Sequence, residues 1–180
     1  YQVYSDFDYF FFFQAESFIV NTEFLDRYIG LFKSDPRLGM IGDSLNLKWN
    51  LSWDELEVSR FNHEVLVQSN NYTNSVDKNG SPFLRSRRVS FYRKRLEEWG
   101  VLTKGLGAGH LRALNWCMTK EVMSLIKFPI GISKHECIAA EIAVSRAVIQ
   151  SGYKICQSAK RQFRYIGHHE WDEKGKIGIG

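Results

Sequence analysis

Two stretches set the fold: Tyr9-Phe10-Phe11-Phe12-Phe13, and Asp35-Pro36-Arg37-Leu38-Gly39-Met40-Ile41-Gly42 one helix-length later. Five consecutive aromatics leave no polar face, so Tyr9 to Phe13 reads as a strand buried on both sides. Gln14, Glu16 and Ser17 interrupt the apolar run before Phe18-Ile19-Val20. It is therefore far shorter than the roughly 20 apolar residues of a membrane span. Asn21 and Thr22 offer an N-cap, and Phe24, Leu25, Tyr28, Ile29 and Phe32 follow at helical spacing. Ser34-Asp35-Pro36 stops that helix, since proline cannot continue it. Leu38 to Ile41 is a second short strand ending at Gly42. Strand, helix and strand in this order predict a βαβ unit, hence an α/β fold with a mainly parallel sheet flanked by helices.

Outward from this core, residues 43–106 change character and read as an insertion within a single domain spanning residues 1–180. Ser52-Trp53-Asp54-Glu55 has the form of a capping box, with Leu56, Phe61, Val65 and Leu66 favouring a helix behind it. Residues 69–82, rich in Asn, Ser and Gly, read as a long loop. Arg93 to Trp99 is helical in part. The spacing then predicts a strand within Leu111 to Met118, a short helix capped by Thr119, and a longer helix from Ser133-Lys134-His135-Glu136, a second capping box. Gly152 stops that helix, and Tyr153 to Cys156 is the next strand.

The chain has 180 residues, 44% hydrophobic and 24% charged, which suits a globular domain and excludes a disordered one. Cys117, Cys137 and Cys156 are odd in number and lack metal-site spacing, so free thiols in a reducing, cytoplasmic compartment are expected. The net charge of +4 is concentrated locally in Arg85, Arg87, Arg88, Arg93, Lys94 and Arg95. That stretch is either a solvated basic face or a contact to phosphates, a membrane surface or nucleic acid. No nucleic-acid-binding module is recognisable, so nucleic acid is not the expected partner.

Three places carry possible chemistry. Gln14-Ala15-Glu16 stands at the carboxyl end of the aromatic strand, where open parallel sheets bind ligands. A carboxylate there can hold a divalent cation that bridges a diphosphate, while Gln14 contributes an amide; the alternative is a strand-end acid in water. Glu141 lies among small apolar residues, Ile138 to Val144, where a carboxylate can have a raised pKa and serve as a base; the alternative is an ion pair, for example with Arg146. Glu136 has a capping duty open to it. His168 and His169, before Glu170-Trp171, offer an imidazole ligand, and a strand would turn only one of them to the site; near a chain end they can also be plain surface residues.

These pieces, in this order, resemble the centre and C-terminal half of family-2-like GT-A glycosyltransferases. Gln14-Ala15-Glu16 occupies the place of the family's Asp-x-Asp, and Asp35 to Gly42 resembles the helix-to-strand segment that follows it. Gly107 to Val122 looks like the glycine-led acceptor strand, and Glu141 to Ile155 resembles the family's Glu-Asp helix, with Ala140-Glu141 on the acidic pair. The resemblance implies a GT-A-like fold and sugar transfer from a nucleotide-sugar donor to an acceptor hydroxyl in polysaccharide or glycoconjugate synthesis. It implies Glu141 as catalytic base, with Glu136 one turn earlier as the alternative placement. Gln14, Glu16 and His168 or His169 would serve the donor and a divalent cation, Mn or Mg; Gly109, Trp116 and Trp171 would serve a carbohydrate acceptor. Trp116 is equally suited to core packing. The family's nucleobase-holding first strands have no counterpart in this sequence. They are expected upstream of Tyr1, or else the chain does not bind a donor alone. Gln14 in the place of an acid admits a rival: a non-catalytic carbohydrate- or partner-binding domain on the same scaffold.

Overall fold

The computed structural model describes residues 6–14, 17–43, 45, 51–58, 88–113, 115–131, 134–158 and 163–165. In chain order the elements are β1 (Tyr9–Phe13), β2 (Ser17–Ile19), α1 (Phe24–Ser34), β3 (Leu38–Gly42), α2 (Trp53–Val58), α3 (Arg88–Glu98), β4 (Asn115–Thr119), α4 (Lys120–Leu125), α5 (Lys134–Gln150), β5 (Lys154–Gln157) and β6 (Phe163–Tyr165). The chain divides into two compact units. The first takes Tyr1–Leu45, Leu111–Ile126 and Ser151–Gly180; the second takes Asn46–His110 and Lys127–Gln150.

The first unit is an α/β layer on a four-stranded sheet of order β1-β4-β3-β5. β3 and β5 are parallel, whereas β4 is antiparallel to both β1 and β3. The sheet is therefore mixed, not mainly parallel. β1 and β3 do run in the same direction, as a βαβ unit requires, but β4 lies between them. Local periodicity sets the direction of β1 and β3; it cannot register a strand that arrives from residue 115 onward. β1 also departs from a strand buried on both faces. It pairs only with β4 among the described strands, and Phe12 and Phe13 are 37% and 57% exposed. A run of aromatics reports high apolarity at every position and says nothing about which positions have a neighbour above them.

One turn apart, Phe24, Tyr28 and Phe32 of α1 bury against Leu38, Ile41 and Cys117. Tyr9 stacks on Phe32 at 5.3 Å between ring centroids, and Phe11 meets Phe24 at 5.1 Å. Each buried side chain of α1, Phe24, Tyr28 and Phe32, contributes roughly 1.5–3 kcal/mol. α1 ends as expected, with Asp35 at the C-cap and Pro36 beyond it. Across the sheet, Gly39 permits a close approach: a Cβ there would sit 2.5 Å from Val122 Cγ2 and 2.8 Å from Tyr153 Cβ. α4 starts where Thr119 Oγ1 accepts the Val122 N–H. β2 and β6 form a separate antiparallel pair with Ser17 opposite Tyr165.

The described elements of the second unit are helices. α2, α3 and α5 close around Trp53, Leu56, Val89, Tyr92, Leu96, Ala139 and Ile142. The Ser52 capping box forms in full. Glu55 N–H donates to Ser52 Oγ at 3.2 Å, and Glu55 Oε2 accepts the Ser52 N–H at 2.9 Å. The region read as an insertion falls here from residue 46 to 106, together with α5; Phe61, Val65 and Leu66 lie outside the described residues. α5 ends at Gln150, and Gly152 follows in the first unit at φ +89°, a conformation that favours glycine.

Part of the basic stretch turns inward to acids. Arg93 binds Asp54 at 2.8 Å and Glu57 at 2.6 Å, tying α3 to α2, while Thr103 donates to Glu97 beside it. Arg95 binds Glu98 at 2.7 Å and Glu136 at 2.9 Å. Lys94 remains exposed. Arg85 and Arg87 lie outside the described residues. Among the described residues, no helix is long and apolar enough to cross a membrane.

Candidate functional site

Polar side chains gather at one edge of the four-stranded sheet. The register sets Phe13 of β1 opposite Asn115, the first residue of β4, and Gly42 of β3 opposite Gln157, the last of β5. The chain leaves this edge at Gln14, Asp43 and Ser158, and enters it at Asn115. Gly42 is needed there on steric grounds: a Cβ would lie 2.9 Å from the Asn115 carbonyl oxygen and 3.4 Å from Trp116 Cδ1.

Asp43 is the hub of the edge. Its N–H donates to Asn115 Oδ1 at 3.0 Å, its Oδ1 accepts the Tyr28 hydroxyl at 2.8 Å, and its carbonyl accepts Gln157 Nε2 at 3.3 Å. Ser158 N–H caps the Gly42 carbonyl at 2.8 Å. Burial, followed by the hydrogen bond to Asp43, pushes the Tyr28 phenol far above its ordinary value. Tyr28 is thus a fixed donor that holds the Asp43 carboxylate in place.

Three buried polar atoms in this region have no partner among the described residues: Gln14 Oε1, Asn115 Nδ2 and Trp116 Nε1. Asn115 is 1% exposed. Its Oδ1 orientation is determined by the Asp43 N–H, which leaves its amide NH2 as the unused donor. An unmade hydrogen bond at a buried polar atom costs about 1–3 kcal/mol, so the Gln14 and Asn115 amides are places where a ligand hydroxyl or a water gains. Neutral amide groups offer hydrogen bonds without charge, which suits hydroxyl groups better than phosphates. Adjacent strand residues face opposite ways, so Asn115 and Trp116 serve opposite faces of the sheet.

Of the residues singled out from sequence, Gln14 stands at this edge. Glu16, His168, His169 and Trp171 lie outside the described residues. Trp116 is 8% exposed and lies in the interior of β4 opposite Phe12, so it is a core residue and not a stacking platform. Glu141, Glu136 and Gly109 belong to the second unit. Glu141 is half-buried on α5. Glu136 is buried with Arg95 bound at 2.9 Å, and that ion pair disfavours it as a base; Ser133, its partner in the expected capping box, lies outside the described residues. The Gly109 carbonyl accepts from Arg146 Nη1 at 3.4 Å.

Asp43, Asn115 and Tyr28 were not singled out from sequence. Asp43 carries the same signal as Glu16, an acid at the carboxyl end of an apolar strand, and Asn115 is the one polar side chain opening the Trp116-Cys117-Met118 run. As for a divalent cation, the described residues include no group of three or more His, Cys, Asp or Glu placed to hold one. The unpartnered oxygen of Gln14 is by itself too weak a donor set for such an ion. No protein family, curated protein or solved structure matches the chain.

Proposed function

We propose that this chain is the acceptor-side, catalytic part of a GT-A-type nucleotide-sugar glycosyltransferase. The observation that carries the proposal is the shared edge: β1 and β3 run the same way, and lead into Gln14 and Asp43. Unused neutral hydrogen-bonding groups at that edge suit a sugar's hydroxyls. In the reaction the acceptor hydroxyl gives its proton to a carboxylate base, the role that the sequence resemblance implies for Glu141. Its oxygen bonds to the donor's anomeric carbon as the bond from that carbon to phosphate breaks, and the nucleoside diphosphate leaves. Glu16 with His168 or His169 would orient the diphosphate.

The test is release of nucleoside diphosphate from a panel of nucleotide sugars by the protein carrying this chain, with and without Mn. Glu141→Gln keeps the size of the side chain and removes its basicity. Turnover is expected to fall about a hundredfold or more, with donor binding nearly unchanged. Loss in Glu136→Gln instead would move the base one turn back. Gln14 in the position of an acid favours a binding domain on the same scaffold as the second reading; carbohydrate binding without release from any donor would establish that one and defeat catalysis.

A further inference from the structure

Arg146 is a buried cation with no counter-ion among the described residues. It lies on α5 between Ser145 and Ala147, is 7% exposed, and follows Ala143 and Val144, which are 2% and 3% exposed. A guanidinium carries five N–H donors. The contact made by this one is Nη1 to the Gly109 carbonyl at 3.4 Å, long for a hydrogen bond, and Nε is buried with no partner. Arg93, Lys94, Arg95 and Lys154 each form an ion pair with an acid, and Arg146 forms none among the described residues. Burial alone pulls its pKa down, with no acid pulling the other way. A buried, unpaired charge is strongly unfavourable, and a guanidinium remains charged under ordinary conditions.

The backbone beside it is open. Nothing lies within 4 Å of where a Cβ would stand on Gly107 or Gly109. Gly107 is exposed and Gly109 half-buried, so the loop leads from solvent to the residue whose carbonyl Arg146 touches. The Arg93 network shows how this unit treats another inward-facing arginine: Asp54, Glu57 and Glu97 surround it. Arg146 has the same need, and no acid among the described residues meets it.

We infer that Arg146 and the Gly107–Gly109 loop form a binding site for an oxyanion, a carboxylate or phosphate group carried on a ligand. The planar fork of the guanidinium matches two oxygens of either group. If the glycosyltransferase proposal holds, the oxyanion belongs to the acceptor, which is then an acidic or phosphorylated saccharide. That assignment rests on the proposal above, whereas the anion site does not.

The experiment titrates the protein carrying this chain with inorganic phosphate, glucuronate and neutral glucose, following heat of binding and thermal midpoint at constant ionic strength. Saturable binding of phosphate or of glucuronate, with a rising midpoint, is expected, and glucose should have no such effect. The anion that binds more tightly identifies the group. Arg146→Met should weaken that binding about a hundredfold or more, the scale for loss of a buried charged partner. Without anion, this variant should melt no lower than the parent, because it removes an uncompensated charge. Gly109→Ala provides a second variant that should fold normally, its Cβ entering empty space; about tenfold weaker binding is expected. No saturable anion binding, or equal binding by the parent and both variants, overturns the inference. Retained anion binding with no sugar transfer would leave the site standing and refute only the glycosyltransferase assignment.

Discussion

Glycine shows most directly how a single residue is read by its surroundings. Gly42 and Gly30 have the same side chain and opposite expected responses to alanine. At Gly42 the added Cβ would lie 2.9 Å from the backbone oxygen of Asn115, which is held in β4 and cannot swing away. Gly42→Ala is expected to destabilise by roughly 1–3 kcal/mol, the scale of overpacking. Gly30 is exposed within α1, with nothing within 4 Å of a Cβ. Gly30→Ala is expected to stabilise by up to about 1 kcal/mol through helix propensity. Urea unfolding of the two variants checks both signs, and a stabilising Gly42→Ala would contradict the packing at the sheet edge.

Among the elements, the helices of the second unit depend on their ends and on charged ties. α2 spans only Trp53–Val58, too short to persist by propensity, so its capping box and its buried Trp53 and Leu56 matter more than in a long helix. Ser52→Ala removes the acceptor for Glu55 N–H and the donor to Glu55 Oε2. A loss of about 1 kcal/mol is expected, read as a lower urea midpoint with an unchanged slope. These partners also hold the Glu55 carboxyl below its usual range, hydrogen bonds from the Ser52 side chain first and backbone second. A depressed carboxyl contributes above its unfolded pKa and loses that contribution as pH falls through the folded one. The parent is therefore expected to lose more stability than Ser52→Ala on acidification through that range, so that the gap between them narrows.

At the scale of the whole molecule, the alkaline side is governed by groups buried in the first unit. Burial pushes the Cys117 thiol up to about 12 from an ordinary 9.0, and the Tyr28 phenol moves in the same direction from 10.0. For an acid raised on folding, the neutral form is the one the fold accepts. Its stabilising contribution is complete below the unfolded pKa and disappears as pH rises toward the folded one. Stability should therefore begin to fall above about pH 9, by up to about 1.4 kcal/mol per pH unit for each group titrating only in the unfolded chain. Tyr28→Phe costs the hydrogen bond to Asp43 but should flatten the decline above pH 10; a decline of unchanged steepness would show that the phenol does not contribute. Denaturant melts at several alkaline pH values make the comparison.

Periodicity and punctuation in the chain alone are enough to place α1, α4 and α5, the Ser52 and Thr119 caps, and β3 and β5, because each depends on residues within a turn or two of one another. Gln14 at a strand's carboxyl end is legible for the same reason. Only the tertiary structure decides that the sheet is mixed, because the strand between β1 and β3 comes from residues 115–119 and no local signal records that pairing. It also decides that Phe12 and Phe13 are exposed, that Trp116 is core, and that Glu136 belongs to Arg95. Asn115 and Asp43 meet across 72 positions of sequence, and among the described residues Arg146 has no acid partner, in a helix whose own composition offers Glu141 five residues away. Burial and partnership are properties of what the rest of the chain brings alongside, and that is settled by long-range packing.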